Sequence, residues 1–413
     1  MSDERDLSTL VVPRAGAVDA GGDLWEPIRM IDAAGDPVTA VAAFLKDLQA
    51  SGRSVPTQRS YAMDLLRWFR FIWAIEVPWD EATRIEARDF CRWFACADKT
   101  RRTPAVGPSV SNAPNPVTGK PRPGRTYAAT TRAHSETVLR VFYDFHRDVG
   151  TGPMVNPFPL SRDRRGGRAN AHHNPMEPYR NDRVGLYRPR VAQRIPRCIP
   201  DALFNKVFAE LGSHRDRALV ALWVSTAARA SELLGAHCGD VDPGQQLVTV
   251  IRKGSRSIQP LPASPDAFVW LRLYQSEIDQ ELPTGPDDPL WWTRRRPFRP
   301  LTYHAARAMF ARASAALGAN WTLHDLRHTA AYRMARDPAL PLADVQWVLG
   351  HARLSTTQLY LTPMPGDVIA GVLAHHRRRQ PLAAPDLSAG GTADMPSSYR
   401  RESLDVLFGG RNS

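Results

Sequence analysis

Trp321-Thr322-Leu323-His324-Asp325-Leu326-Arg327-His328-Thr329 is the stretch of this 413-residue chain that says most about its fold. Thr322 followed three residues later by Asp325 has the form of a capping box. A helix is therefore expected over 323–336, stopped by Pro338. On that helix His324 and Arg327 stand at i, i+3 and share a face. A guanidinium offers a phosphate a planar fork, and an imidazole adds a further donor. An HxxR pair is common, so its meaning depends on what surrounds it.

Downstream, a helix over 342–349 ends at Gly350, with His351 directly after it. Tyr360 comes nine residues later, in Ser355-Thr356-Thr357-Gln358-Leu359-Tyr360-Leu361-Thr362. Such a tyrosine is either core or a nucleophile whose target phosphate is held and neutralised by arginines. Upstream, Arg229 comes after an apolar helix over 215–225 (Leu219, Val220, Leu222, Trp223, Val224). Burying an arginine there is costly without a partner. It either pairs with Glu232, three residues on, or binds an anion. Leu247–Ile251 and Ser257–Leu261 flank Arg252-Lys253-Gly254-Ser255-Arg256, which reads as a hairpin with a basic tip; Pro260 puts its second strand at an edge. Further helices are expected over 201–212, 265–281, 302–317 and 366–379, the last with Ile369, Val372 and Leu373 on one face.

The first half of the chain reads differently. Amphipathic stripes predict helices over 38–51, 57–74, 86–97 and 128–147, a small bundle ending near Asn156-Pro157-Phe158. The Gly- and Asp-rich residues 1–36 are expected to be a loose arm, and the Pro-rich 103–124 a loop. Ten arginines fall within 159–197, which predicts a basic, extended linker. Residues 381–400 read as a flexible tail. Leu404, Leu407 and Phe408 then restore an apolar face that would dock on this chain or on a neighbour.

Composition narrows the partner. Fifty-four Lys plus Arg against 42 Asp plus Glu leave a formal charge of +12, which favours a polyanion such as nucleic acid. No apolar run reaches the roughly 18–20 residues of a membrane helix. The polar, acidic start leads into no signal-peptide core, so a cytoplasmic, nucleoid-associated protein is expected. Cys91, Cys96, Cys198 and Cys238 have no zinc-ligand spacing and read as small buried residues.

Arg229, Lys253, His324-x-x-Arg327, Gly350-His351 and Tyr360, in this order, resemble the tyrosine recombinase (phage integrase) family over about residues 200–379. One departure is Ala228, where the family usually has Gly before its first arginine. The resemblance implies a mainly α fold with a small antiparallel sheet. It also implies a catalytic domain (200–379), and the helical bundle (37–158) looks like the family's core-binding domain, while the arm (1–36), the basic linker (159–199) and the tail (380–413) are read from composition and match no part of the family. It implies that Tyr360 attacks a DNA phosphodiester and forms a 3′-phosphotyrosyl intermediate. Arg229 and Arg327 would clamp the phosphate, with His324 and His351 donating to it. His324 would also accept the tyrosine proton, and Lys253 would protonate the leaving 5′ oxygen. Arg162, Arg164, Arg165, Arg168, Arg252 and Arg256 would contact the DNA backbone. Neither metal nor ATP nor another cofactor is called for. The implied partners are specific double-stranded DNA sites, further copies of the chain in a tetrameric synapse, and accessory DNA-bending proteins, with no membrane. The implied role is integration or excision of a mobile element. A type IB topoisomerase and a non-catalytic DNA-binding regulator are the alternatives. A metal-dependent nuclease would need paired acids at ligand spacing, which the sequence lacks.

Overall fold

The computed structural model describes residues 5–99, 113–121, 124–161, 184–191, 197–278, 281–361 and 365–379. It is mostly helical with two small antiparallel sheets; the mainly α fold and one small sheet were expected, and the sheet near the N-terminus was not. The first part contains β1 (Ala17–Ala20), β2 (Ile28–Ile31), α1 (Thr39–Ala50), α2 (Val55–Ala74), α3 (Arg84–Cys96) and α4 (Ala129–Asp148). The second begins with α5 (Asp201–Ala209), α6 (His214–Thr226), α7 (Ala230–Leu234) and a 3-10 turn at Cys238–Asp240. Next come β3 (Val241–Asp242), β4 (Leu247–Ile251), β5 (Ile258–Pro262) and α8 (Pro265–Ile278). The chain then forms α9 (Tyr303–Ala316), α10 (Leu323–Arg336), α11 (Leu342–Leu349), α12 (Leu354–Gln358) and α13 (Pro365–Arg379). No helix among the described residues is long and apolar enough to cross a membrane.

The bundle of α1–α4 closes around aromatic rings. Trp68, Phe69 and Phe71 of α2 are buried among Phe44, Phe90, Phe142, Tyr143 and Phe158. Burying Trp and Tyr is tolerable only when their polar tips find partners. Here Trp68 Nε1 donates to Tyr143 Oη at 2.9 Å, and Tyr143 Oη donates to the Trp79 carbonyl at 2.9 Å. The α3 start is fixed by a capping box in which Thr83 N donates to Glu86 at 2.8 Å.

Two expectations need correction here. Residues 17–31 are no loose arm: β1 and β2 pair, Val18 opposite Met30, and lie on the bundle. Val18, Ile28 and Met30 face inward and are buried, and Arg70 of α2 donates to the carbonyls of Ala15 (2.6 Å) and Gly16 (2.8 Å). Strands of four residues give only two inward positions each, too few for alternation to stand out of a Gly- and Asp-rich segment. Part of the expected linker is also packed. Residues 184–188 return to the bundle, with Ser161 N donating to Val184 O (2.8 Å) and Arg188 reaching Thr137 Oγ1 (2.5 Å) on α4. Arg162, Arg164, Arg165 and Arg168 lie outside the described residues, as does the tail from 380.

In the second part α6 runs through the core, with Ala218 to Trp223 buried, and packs against α8 and α10. The sheet has the order β3-β4-β5, which puts Pro260 on the edge strand as expected. The cysteines are free thiols, but Cys96 is exposed and the other three only half-buried, so none is the core residue expected.

A strap joins the two parts. Residues 113–121, from the Pro-rich loop between α3 and α4, lie across the α9–α10 turn. Asn115 Nδ2 donates to Gly318 O at 2.8 Å, Thr118 bonds Asn320, and Lys120 pairs with Asp325. Asp325 also accepts from Thr322 N (2.6 Å) and Oγ1 (2.8 Å), the capping contacts expected at the start of α10. Lys120 thus touches the residue that caps the helix carrying His324 and Arg327. Lys120→Ala should weaken the strap by about 1 kcal/mol, since the pair is only partly shielded from water. That is roughly a fivefold rise in the opened population. Limited proteolysis should show faster cleavage within 113–121; an unchanged rate would mean that the ion pair does not hold it.

Candidate active site

The C-terminal end of α6 carries the first element of the site. Thr226 ends the helix, and Ala227 turns the chain with φ +52°, a left-handed conformation that costs an L-residue roughly 1–2 kcal/mol. The position that would suit glycine is therefore Ala227, one residue before the expected Ala228. The turn releases Arg229 at the N-cap of α7 and aims the Ala227 carbonyl at Arg327. The five residues of α7 were too few for a periodic signal.

Glu232 ties the next elements of the site together. It is buried and accepts from Arg229 N (2.9 Å), Arg229 Nη1 (2.8 Å), Arg252 Nη1 (3.0 Å) and Lys253 N (2.9 Å). Burial alone would push its carboxyl up. The N–H groups of Lys253 and Arg229 and the Arg229 guanidinium outweigh burial and hold it below the usual carboxylate range. One carboxylate thus fixes the bases of Arg229 and Lys253, although 21 residues separate it from Lys253. The sequence showed Glu232 only as a partner for Arg229. Arg229 does make that pair, yet its side chain stays 31% exposed, so the fork can serve a second acceptor.

The basic hairpin tip divides in two. Lys253 and Arg256 are exposed. Arg252 does not reach solvent, contrary to the DNA-contact expectation: it is 2% exposed, bonded to Glu232, to Gln259 Oε1 (2.7 Å) and to the Val348 carbonyl. Strand alternation explains this and could have shown it, because Val248, Val250 and Arg252 fall on the same, inward face of β4. Gly350 is required where Arg252 passes. Its φ is +60°, and a Cβ there would lie 3.1 Å from Arg252 Nε.

Arg327 on α10 is buried. Its Nη1 donates to Ala227 O (2.6 Å) and its Nη2 to Leu349 O (2.6 Å), with His351 Nε2 at 3.3 Å. Burial, and then the neighbouring Arg229, lower its pKa to about 10, so it remains a cation at neutral pH. A guanidinium can only donate, so His351 Nε2 is the acceptor and its Nδ1 carries the proton toward Thr357 Oγ1, 2.9 Å away. Burial, with Arg327, Arg229 and Arg252, pushes His351 down to about 4 and keeps it neutral.

Tyr360 sits in a nest of Ala227, Ala330, Ala331, Val345 and Leu349, and is buried. Its ring lies parallel to that of His351, 6.3 Å between centroids. Burial pushes its hydroxyl pKa up, while Arg327 and Arg229 pull the other way. The hydroxyl meets His328 Nδ1 at 2.9 Å. His324, expected to be the proton acceptor, is instead exposed and stands edge-to-face against His328, centroids 4.1 Å apart. The structure therefore gathers Arg229, Arg327, His351 and Tyr360, ties Lys253 to Arg229 through its backbone N–H on Glu232, and leaves His324 one turn from the hydroxyl's partner. His328 was not singled out in the sequence. Its i, i+4 spacing from His324 was visible there, whereas its contact with a residue 32 positions away was not.

A cleft of about 590 Å³ runs beside this cluster between the two parts of the chain. Ser60, Tyr61 and His134 line one wall, and Glu232, Lys253 and Arg256 the other.

Residues 201–365 match the family model described as the phage integrase family. Among curated proteins, the tyrosine recombinase XerD of Neisseria meningitidis serogroup B is 29% identical over 199 residues, 46% of this chain and 66% of that protein. The XerD of Pseudomonas aeruginosa is 31% identical over 186 residues, covering 42% and 59%. The chain thus spans somewhat less than two thirds of the length of these relatives. Among solved structures, XerH site-specific recombinase bound to palindromic difH substrate is similar with a TM-score of 0.54 and 14% identity, over 82% of this chain and 85% of that one. The Tn1549 transposon integrase in complex with circular intermediate DNA gives 0.51 and 14%, over 81% and 98%. At such identities the likeness is one of fold.

Proposed function

We propose that this protein, whose residues 201–365 match the phage integrase family model, is a site-specific DNA recombinase that cuts and rejoins strands through a 3′-phosphotyrosyl bond at Tyr360. The observation that carries the reading is the charge at Arg327. It is a buried cation whose hydrogen bonds go to carbonyl oxygens and an imidazole, not to a carboxylate. Glu232 beside it is shared by Arg229 and Arg252. Such an excess of positive charge, shielded from water, favours an anion, and a phosphodiester would complete it.

The chemistry comes from that placement. Arg229 and Arg327 hold the non-bridging oxygens and offset the charge that grows in the pentavalent transition state. The phosphate's charge favours the protonated form of His351, which lets that imidazole donate as well. The exposed amine of Lys253, on a backbone anchored to Glu232, protonates the departing 5′ oxygen. His324, exposed on the same helix face as Arg327, adds a donor. The bundle α1–α4 acts as a core-binding domain, with DNA in the cleft and Arg256 and the segment at Arg162, Arg164, Arg165 and Arg168 on its backbone. Val368, Ile369, Val372 and Leu373 are exposed along α13, which supports self-association on paired sites in a tetrameric synapse. Integration or excision of a mobile element is the role proposed, with accessory DNA-bending proteins. Resolution of replicon dimers is the second reading, favoured by the curated XerD relatives.

Footprinting on the DNA that flanks the gene should locate the site. A nicked duplex of that sequence should then leave protein covalently on a 3′ end after denaturation. Recovery of no adduct with full DNA occupancy would overturn the reading in favour of a regulator. Because arginines supply the charge, adduct formation should be unchanged in EDTA. Loss on chelation and recovery with Mg²⁺ would favour a metal-dependent nuclease.

A further inference from the structure

The two histidines one turn apart on α10 have different neighbours. His328 Nδ1 lies 2.9 Å from Tyr360 Oη, and the rings are 5.7 Å apart. His324 is exposed and stands edge-to-face against His328, with ring centroids 4.1 Å apart. A general base takes a proton from a group within hydrogen-bond reach, about 2.6–3.2 Å, or through one water, and His328 stands in direct reach of Tyr360 Oη. We propose that His328, rather than His324, takes the proton from Tyr360 as the hydroxyl attacks. This rests on the reading of Tyr360 as nucleophile and names a catalytic residue that reading leaves out.

The step balances without a further reactant. The Tyr360 O–H bond breaks and its proton goes to His328 Nδ1, in the tautomer with Nε2 protonated. An Oη–P bond forms as the bond from phosphorus to the 5′ oxygen breaks. That oxygen takes its proton from Lys253. Rejoining runs the same transfers backward.

The surroundings set when His328 can act. The groups facing it are His324, Arg327 and Asp325 on its own helix, Lys120 from the strap, and Tyr360. Burial first, then His324, Arg327 and Lys120, push its pKa down to about 4; Asp325 opposes them. The free site therefore holds a neutral imidazole against a protonated phenol, and the tyrosine is stored rather than ionised. A phosphodiester between Arg229 and Arg327 brings a negative charge into the same pocket. That charge favours the imidazolium, so substrate itself raises the basicity of His328. The tyrosine would be activated only once DNA is seated.

The test measures the rate of covalent adduct formation on the nicked, footprinted duplex between pH 6 and 9.5 for the parent, His328→Gln, His328→Ala and His324→Gln. Glutamine can hold the hydroxyl through its carbonyl but cannot take a proton. His328→Gln and His328→Ala should both be slower on the order of 10²–10³-fold near neutrality. Both should regain about tenfold per pH unit as the phenol ionises unaided. His324→Gln should lower the rate while keeping the parent's pH profile. Thermal melts and duplex binding establish that each variant is folded, and His328→Gln serves if the alanine variant is not. A parental rate in His328→Gln, or a pH profile parallel to the parent, overturns the proposal while the adduct at Tyr360 stands. Absence of an adduct in the parent overturns instead the reading on which it rests.

Discussion

Tyr360→Phe is expected to bind its DNA site like the parent and to leave no protein on the DNA after denaturation. The ring is held by apolar neighbours, Ala227, Ala330, Ala331, Val345 and Leu349, and phenylalanine fills the same nest. What is lost is one hydroxyl and its 2.9 Å contact with His328. A single hydrogen bond of this kind contributes about 1 kcal/mol, so the fold should survive. The chemical loss is complete, because a phenyl ring has no atom that can attack phosphorus. A denaturing gel of the nicked-duplex reaction reads both variants side by side. An adduct formed by the phenylalanine chain would place the nucleophile elsewhere, with Thr357, three residues earlier and bonded to His351, the first residue to examine.

That prediction comes almost wholly from sequence, and the reasons show what a sequence can hold. Helices α1, α2, α4 and α6 recur within a few residues of their expected bounds, because the first three carry a long apolar stripe that a helix buries on one side and α6 carries a continuous apolar run that is buried all round. The set Arg229, Lys253, His324, Arg327, His351 and Tyr360 was legible only as an ordered resemblance to a family, because each of these residues taken alone also has a structural reading. What was missed was the choice among neighbours of the same chemistry. Arg252 and Lys253 are adjacent cations, and only the pleat of β4 sends one into the core and the other to solvent. His324 and His328 are both imidazoles on α10, and only the return of the chain after α11 decides which meets the tyrosine. Glu232 looked like a local partner for Arg229. Its bonds to Arg252 and Lys253 depend on β4 packing beside α7, which no local pattern encodes.

The same carboxylate makes Arg229→Lys a sharp test of whether Arg229 serves structure or reaction. In the parent, Arg229 Nη1 is bonded to Glu232 Oε1 at 2.8 Å, while about a third of the side chain remains open. A guanidinium can hold the carboxylate with one nitrogen and offer the others to a phosphate oxygen. A lysine keeps the charge but concentrates it at one nitrogen, beside Glu232, which is held ionised. Its ammonium would be drawn to the carboxylate and away from the phosphate, or the reverse, without the planar fork for both. The fold should tolerate the change, because the backbone N–H of residue 229 still reaches Glu232 at 2.9 Å, and Arg252 still pairs with it at 3.0 Å. Duplex affinity, spread over many phosphates, should fall little. The rate of adduct formation should fall on the order of 10²–10³-fold, about 3–4 kcal/mol of transition-state stabilisation, as when one preorganised donor is removed. Single-turnover cleavage of the nicked duplex at saturating protein separates the two quantities. A rate near the parent's would mean that Arg229 is only the partner of Glu232, and that Arg327 holds the phosphate without it.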